Sequence, residues 1–444
     1  MKQTDSIGRS EALLATTAPR KYPVLGENEK AISSHELCAA LDGAAVAGHL
    51  DRGLGLQVYL PFCTTRCVSC DRVAEVAADM SVIDRYLDGL SIEFALLSER
   101  VGRGRSLSQL HIGGGTPSLL SSTQLARLAQ MIDRHFSLGD DCETVFEINP
   151  DRTSLTQMEL ILGLGFRNIR IEVREMDPQS QQGLGRSYSP ELLADAMSNA
   201  RRVGFDTVTL ELLYGLPGQS VGTVKNSLRL ITELEPSRIL CRSFTRNEKR
   251  FEHQRVIEPE SMPTVAEKMA MFVSAVDQME ASGYEWVGIN SFVKAGDALS
   301  AAQAEGRLMR NRLGYTDRPS RVLLGVGLGA VTELPNLVSR NHQNLGDWHG
   351  ALGTGQHPAC AGVSYTAKEA QQRRLLYKLS ESLCAPLSEF EDGQQQPLLA
   401  SLQSAGLVTA DASWVRVTPS GRLKLMDLWD PASGDLRLGL ASGG

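Results

Sequence analysis

From about residue 55 to 292 the chain repeats one pattern. A short β-rich run ends in Gly, Pro or a polar residue, and an amphipathic helical stretch follows. The predicted strands are Leu56–Leu60, Leu107–Ile112, Thr144–Ile148, Asn168–Val173, Thr207–Leu213, Arg238–Phe244 and Glu285–Ile289. The predicted helices between them are Val82–Glu99, Ser122–Phe136, Ser154–Gly163, Pro190–Val203, Val221–Leu234 and Pro263–Ser282. Ser121 and Ser122 offer an N-cap ahead of Leu125, and Pro190 suits a first-turn position. Strands that alternate with helices form a parallel sheet with right-handed crossovers. Six or seven such units predict a complete or partial barrel, an α/β fold, rather than a short open sheet. These folds place chemistry at the carboxyl ends of their strands. The unusual residues sit there: Cys63 after the first strand, Gly113–Gly115 after the second, Glu147 in the third and Glu211 in the fifth.

The flanks read differently. Residues 1–52 form an N-terminal extension with a short helix at Ser34–Gly48, 53–300 the barrel, and 301–354 a connecting region that completes the active-site side. Residues 355–444 form a C-terminal, mainly helical domain of winged-helix-like order. Its helices are Ala367–Leu383 and Gln395–Ser404, and a hairpin within Leu407–Thr418 turns at Asp411–Ser413. The domain is not notably basic and reads as a packing or lid module. A net charge of −7, from 45 Lys+Arg against 52 Asp+Glu, disfavours a nucleic-acid partner. No run approaches the ~18 apolar residues of a membrane span. Met1–Tyr22 lacks the apolar stretch of a secretory signal, so a cytoplasmic protein is expected.

Of eight cysteines, too few for a disulfide framework in a chain this long, three lie together in Leu60-Pro61-Phe62-Cys63-Thr64-Thr65-Arg66-Cys67-Val68-Ser69-Cys70. The spacing C-x₃-C-x₂-C lets Cys63, Cys67 and Cys70 hold three irons of a [4Fe–4S] cubane and leaves the fourth open. An open metal position can chelate a small molecule, here the amino and carboxylate groups of S-adenosylmethionine. Electron transfer from the reduced cluster would then cleave the sulfonium and release a 5′-deoxyadenosyl radical. The alternatives are a zinc site or three unrelated core thiols. Zinc wants a fourth ligand, and His111 lies 41 residues on, inside a strand. Arg66 in the loop suits a negatively charged cluster.

His111-Ile112-Gly113-Gly114-Gly115-Thr116-Pro117-Ser118 ends the second strand, where glycines permit close backbone approach to a ligand. Glu147 is an acid in an apolar strand, placed to hold the cofactor's ribose; a surface-facing strand residue is the bland alternative. Glu211 lies in an equally apolar run, and buried carboxylates need a partner; Arg186 or Arg174 is expected to supply it. His342, Trp348 and His349 read as a surface loop rather than a haem site. Cys142, Cys241, Cys360 and Cys384 read as structural thiols.

On these residues the chain resembles the radical S-adenosylmethionine superfamily and, within it, the oxygen-independent coproporphyrinogen III oxidase family. The resemblance runs from about residue 55 to 430. It is carried by Pro61-Phe62-Cys63, Gly113–Pro117, Tyr214-Gly215-Leu216-Pro217, Arg310-Asn311-Arg312-Leu313-Gly314-Tyr315-Thr316, Leu324-Gly325-Val326-Gly327 and Val417-Thr418-Pro419-Ser420-Gly421-Arg422-Leu423. It implies a partial (β/α)₆ barrel, an N-terminal segment over its mouth and a C-terminal helical domain. It also implies an oxygen-sensitive monomer that takes a tetrapyrrole substrate, receives electrons from a flavodoxin or ferredoxin, and decarboxylates two propionates to vinyls in haem biosynthesis. The family's oxidase branch binds two S-adenosylmethionine molecules. By position Gly114, Glu147 and Val331 hold the first, and Gly115, Thr116, Arg186 and Glu211 the second. This sequence departs from the family pattern at Gln57, Tyr59, Ser69, Arg72, Arg174 (in place of a second-site Gln), Glu211 and Thr245, and its Pro19-Arg20-Lys21-Tyr22-Pro23 keeps only part of an N-terminal motif. Those departures leave two other readings open: a radical methyltransferase or other radical enzyme, and a haem-binding or haem-delivery protein of the same fold.

Overall fold

Six strands run parallel, each beside the next in sequence: β1 (Leu54–Leu60), β2 (Arg105–Gly114), β3 (Phe136–Ile148), β4 (Asn168–Arg174), β5 (Thr207–Tyr214) and β6 (Arg238–Ser243). This is the centre of the computed structural model, which describes residues 29–428 apart from 78–80, 182–183, 187, 320, 392 and 394. The motif at Pro19–Pro23 lies outside the described residues. Helices follow the strands in turn: α1 (Ser81–Val101), α2 (Ser122–His135), α3 (Leu155–Gly163), α4 (Pro190–Val203), α5 (Val221–Glu233) and α6 (Val265–Ala281). Side-chain caps start them where the sequence offers them. Ser121 and Thr264 close full capping boxes with Gln124 and Glu267, and Ser189 caps the helix that opens on Pro190.

The strand alternation decides what faces what. Leu56, Val58, Ile112, Phe146, Ile169, Ile171 and Leu210 are buried under the helices in one continuous core. The intervening positions turn to the barrel interior, and most of them are polar, with Val145 and Leu240 as apolar members. In register across the sheet stand Gln57 with His111, Glu147 with Arg170, and Glu172 with Glu211.

The seventh predicted strand does not extend the parallel series. β7 (Tyr284–Val287) turns back through Gly288-Ile289-Asn290 into β8 (Ser291–Lys294), which pairs antiparallel with β6. Three residues make a hairpin, whereas a parallel crossover needs a dozen or more. On the other side the sheet continues through strands that the repeat did not predict. β9 (Val322–Val326) lies parallel to β1, and β10 (Val331–Glu333), β11 (Leu337–Asn341) and β12 (Ala359–Ser364) follow antiparallel. Lys30–Ala31 covers the outer edge of β12, ahead of the helix Ser34–Val46. Among the described residues the sheet has 13 strands, and the barrel is partial and open.

Asn341–Gly350 is not a surface loop. Helix Leu345–Gly353 buries Trp348 completely, with its ring stacked on Tyr86 at 4.7 Å. Beyond the sheet, helices Ala367–Ser382 and Gln396–Ser404 pack with a three-stranded antiparallel sheet of Cys384–Pro386, Trp414–Val417 and Val408–Ala410. This winged-helix-like unit has its own core of Leu375, Leu379, Phe390, Leu398 and Val415. Among the described residues no helix is long and apolar enough to cross a membrane.

Candidate active site

β1 ends at Leu60, and the chain enters a loop closed by the pairing of Phe62–Cys63 with Glu75–Val76. Cys63, Cys67 and Cys70 are buried together with Ala74 inside it. Three flanks hold the loop. From the end of β2, the Gly115 and Thr116 amides donate to Leu60 O and Phe62 O, both at 2.7 Å, and the Thr116 hydroxyl lies 3.7 Å from Cys63 Sγ. A Cβ on Gly115 would sit 2.5 Å from Phe62 O, so only glycine permits this approach. From the second flank, Leu184 O accepts from the Val68 amide at 2.9 Å and Gly185 O lies 3.8 Å from Cys67 Sγ. From the third, His253 Nε2 and Gln254 Nε2 reach Cys70 O at 2.8 and 2.9 Å.

Burial pushes the Cys63 and Cys70 thiols up, so they carry protons until a metal displaces them. Among the described residues no three His, Cys, Asp or Glu side chains converge on a single ion. A cubane takes one thiolate per corner and suits three cysteines spread over one loop with a fourth corner open. The three thiols therefore fit a [4Fe–4S] cluster.

Beside the loop, a cavity of about 200 Å³ opens on Asp71–Val73, Gly114, Glu147, Glu211 and Val331. Its chemistry is ionic. Arg72 Nη1 lies 2.7 Å from Glu147 Oε2 and 3.0 Å from Gly114 O, so these acceptors meet at one cation. The other Glu147 oxygen contacts His111 Nε2 at 3.0 Å. Burial alone would raise the Glu147 carboxyl, but Arg72 and His111 hold it well below the usual range. Burial also lowers His111, which leaves the imidazole neutral. Further along the wall stand Arg170, Arg250, Arg310 and Arg312. Arg170 Nε and Arg312 Nη1 are buried without a hydrogen-bond partner among the described residues.

Residues 58–231 match the Radical SAM superfamily. The oxygen-independent coproporphyrinogen III oxidase of Pseudomonas aeruginosa is 29% identical over 417 residues, 90% of this chain and 89% of that protein. The enzyme of the same name from Cereibacter sphaeroides is 30% identical over 328 residues, 73% of this chain and 72% of that one. This chain belongs to the oxygen-independent coproporphyrinogen III oxidase family. The solved structure of the Escherichia coli coproporphyrinogen III oxidase, described as a radical SAM enzyme, superposes with a TM-score of 0.82 at 27% identity. That match covers 93% of this chain and 96% of the other.

The family positions divide over the site. Gly114, Glu147 and Val331 share the main cavity, and Glu211 lines it from β5. Gly115, Thr116 and Arg186 lie along a separate narrow cleft with Glu172, and Arg174 along another beside the three cysteines. The expected partners of Glu211 are wrong. Arg174 and Arg186 both go to Glu172 Oε2, at 3.1 and 3.2 Å. Glu211 Oε1 instead meets Arg242 Nε at 2.5 Å, a close ionic contact too poorly aligned for a hydrogen bond, and Arg72 Nη2 at 3.9 Å. The cause is a bulge between Glu172 and Arg174, where Arg174 takes a left-handed φ of 68° and turns toward the cysteine loop. The sequence pattern assigns no site role to Glu172, Arg242, His111 or Arg170, and Arg72 enters it only as a departure from the family pattern. Arg170, Glu172 and Arg174 alternate with Ile169, Ile171 and Val173 along β4. That run of charges at period two was the available signal.

Proposed function

We propose that this chain is an oxygen-independent coproporphyrinogen III oxidase, a radical S-adenosylmethionine oxidoreductase that converts two propionate side chains of a tetrapyrrole to vinyls. The observation that supports it best is one cavity with two kinds of wall. The segment leaving the cysteine loop, Asp71–Val73, forms one side with Gly114 and Glu147, and Arg170, Arg250, Arg310 and Arg312 form the other. When bound, the [4Fe–4S] cluster and S-adenosylmethionine supply the radical that takes a hydrogen from the propionate. Cys63, Cys67 and Cys70 would hold the cluster, and Gly114, Glu147 and Val331 the cofactor.

The Gly114 carbonyl, which accepts from Arg72 here, can accept from the cofactor's amino group, and the ionised Glu147 can take its ribose hydroxyls. Neutral His111 fixes the second Glu147 oxygen. The Tyr59 hydroxyl donates to Val73 O at 2.8 Å and so pins the segment that follows the third cysteine. The arginine wall suits a substrate rich in carboxylates, because a guanidinium binds a carboxylate in two parallel hydrogen bonds. Among the described residues, Arg170 Nε and Arg312 Nη1 are donors still lacking an acceptor. Val331, Leu313 and Ile289 give the cavity apolar cover that strengthens these contacts. The reading includes a flavodoxin- or ferredoxin-type electron donor, a cytoplasmic location and a monomer.

Cluster-reconstituted protein, incubated anaerobically with coproporphyrinogen III, S-adenosylmethionine and a reductant, should give the divinyl product, detected by mass spectrometry. Formation of 5′-deoxyadenosine with no decarboxylated tetrapyrrole would reject the substrate, and S-adenosylhomocysteine among the products would indicate a methyl transfer instead. Alanine at Cys63, Cys67 or Cys70 should remove bound iron and cluster absorbance. Iron retained by all three variants would defeat the reading at its root.

A further inference from the structure

We propose that this chain holds one S-adenosylmethionine rather than two, because its own side chains fill the second place. The inference rests on the radical-enzyme reading above. It begins with two departures from the family pattern that meet in space: Arg174 Nη1 donates to Ser69 Oγ at 2.8 Å. Ser69 belongs to the cysteine loop and Arg174 to the end of β4, so the contact closes the gap between loop and sheet where a second ligand would enter. Both residues are buried, and the left-handed φ of Arg174 is a conformation that its surroundings must hold in place.

The charged groups expected at the second place are engaged elsewhere. Glu172 has the guanidinium groups of Arg174, Arg186, Arg242 and Arg72 within 3.1, 3.2, 3.7 and 3.8 Å. Glu211 is taken by Arg242, whose other end reaches Asp71 at 3.3 Å. The amides of Gly115 and Thr116, which could meet a ligand, are spent on Leu60 O and Phe62 O. Drawing Arg186 off to a ligand carboxylate would break up a buried set of paired charges, which is costly.

Gly115, Thr116, Arg174 and Arg186 are closely packed, and of the second-place residues Glu211 alone also lines the main cavity. The cleft along Gly115, Thr116, Glu172 and Arg186 measures about 10 Å³, and so does the one between the cysteines, Glu172, Arg174 and Arg186. That is room for roughly one water. The first place differs. It opens on the cavity of about 200 Å³, and Arg72 can leave Glu147 because Glu172 and Glu211 already stand within 3.9 Å of its other nitrogen.

The test is stoichiometry. Reconstituted holoprotein of measured iron content is dialysed to equilibrium against labelled S-adenosylmethionine without a reductant, so that nothing is consumed. One equivalent per chain is expected. Two equivalents would overturn the inference and leave the enzyme reading standing; none would overturn both. A Glu147→Gln variant of unchanged iron content locates the bound molecule and should weaken its binding at least tenfold. Binding unchanged in that variant would put the molecule outside the first place and end the proposal.

Discussion

At the scale of single residues, the site is governed by how carboxylates and guanidinium groups are matched. Glu172 and Glu211 stand opposite each other on β4 and β5. Like charges in that position repel, and Arg72 and Arg242 each approach both acids to within 3.9 Å. Arg174, Arg72, Arg186 and Arg242 hold the Glu172 carboxyl well below its usual range against the burial that would raise it. Glu172→Ala leaves Arg174 and Arg186 buried without their acid, and breaking such a set costs about 3–5 kcal/mol. Chemical denaturation of the apoprotein should show a loss of that size; a loss under ~1 kcal/mol, as for exposed pairs, would mean that water already screens these charges. Much at this scale was legible. The cysteine triplet, the glycine run, Glu147 and Glu211 stand out by residue type and by position at strand ends. The partners were not legible. Counting by twos along β4 cannot see the bulge that turns Arg174 away from Glu211 and toward Ser69, and nothing in sequence distance brings Arg242 or Arg72 to that acid.

At the scale of elements, α1, a helix the sequence predicts, holds the sheet extension to the barrel together with Asn341–Gly350, the segment misread as a surface loop. The buried Glu93 of α1 accepts from the Gly327 amide at 3.0 Å, from Asn341 Nδ2 at 2.6 Å and from Trp348 Nε1 at 3.0 Å. One carboxyl thus joins α1, the end of β9, β11 and helix Leu345–Gly353. Burial pushes this carboxyl up to about 8, against an ordinary value of 4.5. The folded state therefore keeps a proton that the unfolded chain gives up. The stability this contributes is present below pH 4.5 and is lost as pH rises toward about 8. Glu93→Gln should flatten the fall, gaining on the parent between pH 5 and 9 in urea denaturation; parallel profiles for the two proteins would show that Glu93 does not titrate in that window. One turn away, Gly89 lies against the Trp348 ring, and a Cβ there would come within 2.5 Å of it. Gly to Ala inside a helix normally stabilises by up to ~1 kcal/mol. Here Gly89→Ala should destabilise by about 1–3 kcal/mol through overpacking, read as a lower melting temperature. The sequence hid this packing because Trp348 sits between polar neighbours, Asp347 and His349, and its burial depends on a glycine some 260 residues earlier. The six βα units were readable for the opposite reason, since each carries its periodicity and cap within its own span. β9 to β12 are short and carry little pattern of their own; their pairing with β1 and with one another makes them strands.

At the scale of the whole molecule, the C-terminal unit reaches the cavity through the hairpin Met309–Asn311 and Gly314–Thr316. On its inner side Asn311 Nδ2 donates to Gln109 Oε1 at 2.7 Å, and Leu313 O accepts from Arg170 at 2.9 Å. On its outer side the Arg310 amide donates to Glu381 of helix Ala367–Ser382 at 2.9 Å. Tyr315 joins the two sides. Its hydroxyl accepts from the Ile289 amide at 2.8 Å and from Arg310 Nη1 at 3.3 Å, and donates to Ser380 O at 2.9 Å. Arg310 and Arg312, two of the arginines proposed to meet substrate carboxylates, ride on this hairpin. Tyr315→Phe strands the buried Ile289 amide, a penalty of about 1–3 kcal/mol, and frees one anchor of Arg310. If the hairpin positions those arginines, KM for the tetrapyrrole should rise about tenfold, the equivalent of ~1.4 kcal/mol. Iron content should stay unchanged and kcat should fall much less, because the cysteine loop is tied to β2 and not to the hairpin. Hydrogen exchange should quicken across 309–316. Faster exchange with an unaltered KM would show that the hairpin moves without carrying substrate contacts, and the arginine wall would then have to act through Arg170 and Arg250 alone.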